Sequence, residues 1–265
     1  MTSADHKEEL QKSEYHIPAK QMTAERSGCV TKCVGSQMPK RSGKHGSYRK
    51  NGYDTIVADP DKKKIYNRTF TDPSPFAAPS EREEKPWGTK KDQGKVLRSD
   101  PSQQSGSWEI DNPAFPINFT RAHTPYNHDF HHIMPMDCIL EGLVSPENAH
   151  VKLLMEAEYN LNDGRNLIIL PRGEYFARMV GLPYHASNHP KYIEQVNLEM
   201  SKLDELLLTG DSIHKAQKAA SAKKLLMDWE DLMFEKLCAL GRQELHQSKR
   251  APDVDDVTIP PIGFQ

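Results

Sequence analysis

An α+β fold is what this 265-residue sequence predicts, on three observations. Apolar residues recur at helical spacing over 146–159, 190–207 and 212–246. A short apolar run, Leu167-Ile168-Ile169-Leu170, follows the turn signal Asn162-Asp163-Gly164 and reads as a buried strand. Apolar residues are also sparse in the first hundred positions and denser after about position 115. The expected organisation is a largely irregular, basic, low-complexity region over 1–105, one globular domain over 106–250, and an acidic, proline-containing tail over 251–265.

Each element has its own local signal. In 1–105, Gly, Ser, Pro and Lys recur, and Asp72-Pro73-Ser74-Pro75 cannot hold a regular helix because each proline removes a donor and clashes with the preceding turn. Two β-like runs, Thr55-Ile56-Val57-Ala58 and Lys64-Ile65-Tyr66, flank Asp59-Pro60-Asp61 and suggest a small hairpin. The proline-interrupted stretch 108–119 suits an extended segment packed on the domain. Ser145 can cap a helix over 146–159, with Pro146 in its first turn. A brief helix over 174–180 ends at Gly181. Pro190 opens the next, on which Val196, Met200 and Leu203 share a face, and Gly210-Asp211 breaks it. The last helix carries Leu225, Leu226, Trp229, Leu232, Met233, Leu237 and Leu240 on its apolar side.

Composition narrows the class. The formal net charge is −2, so overall charge does not indicate nucleic acid. Basic residues nevertheless outnumber acidic ones over 20–68, where a segment could hold phosphate or simply be solvated. Four cysteines (Cys29, Cys33, Cys138, Cys238) in a chain of this length read as ordinary thiols and not a disulfide framework. The opening residues Met1-Thr2-Ser3-Ala4-Asp5-His6 begin a polar stretch without an apolar core, so no cleaved secretory signal is expected. No apolar run approaches the roughly 20 residues that span a bilayer.

The chemistry concentrates in 127–191. His185 and His189 are four apart, so at a helix entry both imidazoles face one way and suit one metal ion. His131 and His132 are neighbours on an extended segment, where side chains point to opposite faces. One can therefore bind metal while the other faces substrate as a general base, a role an uncharged imidazole fills near neutral pH. The bland alternative makes these histidines satisfied polar groups at a strand edge. His123 and His128, just upstream, are expected at the surface.

Three ordered motifs carry a resemblance. His131-His132-Ile133-Met134-Pro135, then Asn166-Leu167-Ile168-Ile169-Leu170-Pro171, then His185-x-x-x-His189-Pro190-Lys191-Tyr192 resemble the AHH family of the HNH/endonuclease VII superfamily, bacterial toxin nucleases with a ββα-metal core. The family pattern runs His-His-Ile-x-Pro, Asn-x-x-x-Leu-Pro and His-x-x-x-His-Pro-x-Tyr. Phe130 stands where the family name has alanine, the stretch between His132 and Asn166 holds a whole helix, and the spacer Ala186-Ser187-Asn188 lacks a glycine.

The resemblance implies a role for each position. His131, His185 and His189 would be ligands of a divalent ion, Mg²⁺ or one of Zn²⁺, Ni²⁺ and Mn²⁺. His132 would be the general base, and Asn166 would brace the loop that carries it. Arg121, Arg172 and Lys191 flank the motifs as candidate phosphate contacts. The implied activity is metal-dependent cleavage of phosphodiester bonds, with DNA as substrate. The implied setting is a toxin made in a bacterial cytoplasm, carried into a competitor by secretion machinery or an adaptor, and neutralised by an immunity protein. The alternatives are an RNase, a housekeeping or phage-derived nuclease, and a non-enzymatic interaction module stabilised by metal.

Overall fold

The computed structural model describes residues 48–70, 106–108, 110–111, 119–120, 126–141, 153–154, 157–185, 189–208, 215–243 and 251–262. In chain order these form helix α1 (Tyr48–Ala58), helix α2 (Pro60–Tyr66), strands β1 (Arg68–Phe70) and β2 (Gly106–Trp108), strand β3 (His128–His132), helix α3 (Met136–Glu141), strand β4 (Leu167–Pro171), and helices α4 (Glu174–Val180), α5 (Pro190–Leu208) and α6 (Lys215–Gln243). Two short 3₁₀ helices, Gly164–Asn166 and Val254–Asp256, complete the set. This is an α+β architecture with two small antiparallel sheets, β1–β2 and β3–β4.

The antiparallel pair β3–β4 is the scaffold of the site. Its register opposes His131 to Ile168 and His132 to Leu167. Every residue of β4 is buried, as a continuous apolar run demands. Its outer edge does not face solvent, because the backbone N–H of Ile169 donates to Tyr66 Oη at 3.1 Å. α4 ends where Gly181 adopts φ 68° and its N–H reaches Ala177 O, the left-handed stop that glycine allows. α6 buries Ala222, Leu226, Trp229, Met233 and Leu237, one helical stripe, in the common core.

Two expectations are corrected. The hairpin expected over 55–66 is a pair of helices, α1 and α2. Tyr48, Gly52 and Ile56 recur every four residues and are buried together, so tertiary packing overrides the β-branched run. Asp59, read as a turn residue, is an N-cap. Its carboxylate accepts from Asp61 N–H at 2.9 Å and Lys62 N–H at 3.1 Å, with Pro60 in the first turn. The stretch 251–262 is not a tail: Val254, Val257 and Ile262 belong to the core. Packing therefore crosses both expected boundaries, near 106 and near 250. Of the helix expected over 146–159, residues 153–154 are helical and the rest up to 156 lies outside the described residues. So do Cys29, Cys33, Arg121 and His123, whereas Cys138 and Cys238 are buried.

α1 docks on the turn before β4 through a close approach at Gly164. A Cβ there would lie 2.3 Å from the backbone O of Asn51 and 1.9 Å from Thr55 Oγ1. Gly164→Ala is therefore expected to push α1 off this turn and cost about 1–3 kcal/mol, the usual penalty of overpacking. Urea denaturation measures it, and wild-type stability would mean that the two elements do not touch.

Candidate metal centre and cleft

β3 carries His131 and His132 into the site, and the entry to α5 brings His185 and His189 against them. The imidazole centroid of His131 lies 5.2 Å from that of His185 and 5.3 Å from that of His189, and the latter two are 4.5 Å apart. One ring nitrogen from each of the three falls within 4.8 Å of the others. The side chain of His189 is buried. Its Nε2 and the Nδ1 of His185 are buried without a hydrogen-bond partner, which is costly for a polar atom unless something else binds it. Burial first, and then His189 beside it, push the His185 imidazole down to about 4. It is accordingly neutral near pH 7, the form that ligates metal. Three clustered imidazoles fit a divalent ion of the Zn²⁺ or Ni²⁺ kind better than Mg²⁺ or Mn²⁺, which prefer oxygen donors.

His132 leaves β3 toward the other side of the same cleft. Its ring lies 4.9 Å from that of Tyr48 at an interplanar angle of 41°, and its Nε2 is 3.5 Å from Asn162 Oδ1. Asn162 is placed in turn by α1, because Asn51 Nδ2 donates to its carbonyl at 2.7 Å. The open cleft measures about 300 Å³ and is walled by Tyr48, Asp129, His131, His132, His185 and His189 among others. Neither Arg172 nor Lys191 is among its walls.

Asn166 acts on the backbone, away from the cleft. Its Oδ1 accepts from Met134 N–H at 2.6 Å, while its Nδ2 donates to the carbonyls of Met134 (3.1 Å) and Leu161 (2.8 Å). Its own carbonyl accepts from Ile133 N–H at 2.9 Å. One fully buried side chain thus ties the turn after His132 to the segment before β4. Tyr192 Oη donates to Ile133 O, anchoring the same turn to α5.

The candidate phosphate contacts separate. Arg172 is exposed at the end of β4 with its Nε 3.8 Å from Asp129 Oδ2, and Lys191 is exposed in the first turn of α5. Arg121 is outside the described residues.

Three contributors to the site were not legible in the sequence. Asp129 in the cleft wall pairs with Arg49 of α1 at 2.8 Å. Tyr48 faces the ring of His132. Asp253 Oδ1 meets His189 Nδ1 at 3.2 Å. Asp253 and Asp256 form a capping box, a signal present in Asp253-Val254-Asp255-Asp256 but masked by its acidic composition.

Phe130 also has a physical account. A Cβ on Gly52 would lie 2.9 Å from its ring, and the Arg49 guanidinium sits 5.9 Å from the ring centroid. The larger side chain fills space that a glycine in α1 leaves open.

His128 is buried, contrary to the surface expectation. Its ring packs among Phe119, Tyr126 and Phe130, and burial pushes its imidazole down to about 4. With its folded value below the ordinary 6.5, its contribution to stability is full above about 6.5 and lost as pH falls through 4. A drop of this size corresponds to about 3 kcal/mol. Urea melts at pH 7 and pH 4 should show wild type losing more stability than His128→Phe by about that amount. Equal losses would mean that His128 does not titrate between those values.

The chain was compared with protein-family models. Residues 115–227 match the AHH model, a nuclease family of the HNH/ENDO VII superfamily with conserved AHH. The match takes in His131, His132, Asn166, His185 and His189, and leaves out 48–70 and 251–262. Searches of curated proteins and of solved structures found no match. Among the described residues, no helix is long and apolar enough to cross a membrane.

Proposed function

With residues 115–227 belonging to the AHH family of nucleases, we propose that the chain is a metal-dependent endonuclease that hydrolyses phosphodiester bonds in DNA. The observation that carries this reading is the clustering of His131, His185 and His189 beside His132 in one open cleft.

His131, His185 and His189 would hold the ion, whose chemistry when bound is to neutralise charge building on the phosphate and the leaving 3′ oxygen. A ring nitrogen of His132 takes the proton from water as that water's oxygen bonds to phosphorus. The bond from phosphorus to the 3′ oxygen breaks, and the leaving oxygen takes a proton from solvent. Asn166 is a positioning residue in this scheme, fixing the turn that sets the His132 ring. Arg172 and Lys191, exposed near the cleft, meet flanking phosphates, and Arg121 is assigned to the same duty.

The substrate class is tested with purified protein on supercoiled plasmid and, in parallel, on structured RNA, with Zn²⁺, Ni²⁺, Mn²⁺ or Mg²⁺ and with chelator. Nicking and linearisation that stop with chelator support the DNase reading. Cleavage of RNA alone reassigns the substrate. No cleavage with any ion, together with unfolding on metal removal, would make the histidines a structural metal site instead.

The biological role we propose is an antibacterial effector made in a bacterial cytoplasm, carried into a competitor by secretion machinery or an adaptor, and held inactive at home by an immunity protein. A nuclease that reads no sequence endangers the cell that makes it, so a tight inhibitor is required. That inhibitor would meet the basic residues near the cleft with carboxylates. Expression in a bacterium lacking the inhibitor should arrest growth with loss of chromosomal DNA, relieved by His132→Ala. Healthy growth at high levels of active enzyme would favour a housekeeping or phage-derived nuclease.

A further inference from the structure

The stretch 251–262 lies beyond the residues matched to the family, yet three helices and the entry to the metal site hold it. Its Ala251 N–H donates to Glu174 Oε1 of α4 at 2.7 Å. Trp229 Nε1 of α6 donates to Pro260 O at 3.0 Å. Ile262 N–H donates to Glu199 Oε2 of α5 at 3.2 Å. Tyr184 and Asp253 form a parallel bridge just before His185. Asp255 Oδ1 accepts from the backbone N–H of Tyr192 at 2.9 Å, satisfying one of the open donors at the start of α5.

Within this stretch Asp253 is aimed at a metal-site histidine. Its Oδ1 lies 3.2 Å from His189 Nδ1, and both residues are buried. A carboxylate oxygen only accepts, so Nδ1 carries the proton and Nε2 keeps its lone pair. That Nε2 is buried without a hydrogen-bond partner. Asp253 is itself fixed: its Oδ1 also accepts from Asp255 N–H at 3.1 Å, and its N–H donates to Asp256 Oδ2 at 2.9 Å.

We propose that Asp253 is a positioning residue of the metal centre, supplied from outside the family domain, which locks His189 in the Nδ1–H tautomer and presents Nε2 to the ion. This rests on reading His131, His185 and His189 as the ligand set. Outer carboxylates of this kind orient ligating imidazoles and raise their basicity.

The test uses the full chain, Zn²⁺ alone as the probe, and the variants Asp253→Asn and Asp256→Asn. Asparagine still caps a helix start, so Asp253→Asn keeps the local fold while replacing the carboxylate by an amide. Competition with a chromophoric chelator should show Zn²⁺ binding weakened about 10–100-fold in Asp253→Asn. ¹⁵N spectra of the metal-free proteins should show His189 as the Nδ1–H tautomer in wild type and as a mixture in Asp253→Asn. Asp256→Asn, which removes the charge of the capping-box partner while its amide oxygen can still accept from the Asp253 N–H, should leave both readouts unchanged. Wild-type affinity and tautomer in Asp253→Asn would overturn the proposal, as would equal defects in the two variants. If wild type binds no Zn²⁺, the ligand-set reading fails, and the tautomer comparison still decides what Asp253 does to His189.

Discussion

His132→Ala is expected to lower cleavage about 10²–10⁴-fold, the usual worth of a positioned proton acceptor, while leaving Zn²⁺ affinity near the wild-type value. The split follows from where β3 sends its two histidines. His131 turns toward His185 and His189, whereas His132 lies against Tyr48 with its Nε2 near Asn162. Removing the ring deletes the proposed proton acceptor and none of the three clustered nitrogens. Rates on plasmid DNA and chelator competition, measured on the same preparation, separate the two functions. Full activity in His132→Ala would show that another group takes the proton. Loss of metal binding along with activity would show that His132 belongs to the ligand set.

His189→Ala is expected to do the reverse and remove both. It deletes the most enclosed member of the cluster, whose ring is within 5.3 Å of both other imidazoles. It also leaves Asp253, itself buried, without its partner. Zn²⁺ affinity should fall by more than the roughly 10–100-fold that loss of an outer partner costs, and cleavage should drop to background. Calorimetric titration with Zn²⁺ reads the first and plasmid nicking the second. Wild-type metal affinity in this variant would place the ion elsewhere.

What could be read from the sequence was whatever left a local trace. The run from Leu167 to Leu170, the stop at Gly181, the start at Pro190 and the apolar stripe of α6 each follow from spacing or capping within a few residues. The cluster of His185 and His189 was legible for the same reason, since four residues bring two side chains together at a helix entry. α1 and α2 were misread because Thr55-Ile56-Val57 is too short to separate a helical period from a β-branched run. What decides it is packing of Gly52 on Phe130 and Gly164 on Asn51. The stretch 251–262 was misread because its bonds are made to residues far along the chain. Asp253 meets His189 across 64 positions and Ile262 meets Glu199 across 63, with no period to betray them. Tyr48 beside His132 was hidden likewise, since its place depends on α1 docking from the N-terminal side.

Whether an ion held by His131, His185 and His189 drives cleavage is tested by paired titration of metal binding and plasmid cleavage against Zn²⁺, on one metal-stripped preparation of the full chain. One ion per chain is expected, with a cleavage rate that rises from background in step with occupancy and with His132→Ala following the same binding curve at a rate near background. Cleavage that proceeds in the stripped protein, or full occupancy with no cleavage under Zn²⁺, Ni²⁺, Mn²⁺ or Mg²⁺, would contradict this expectation.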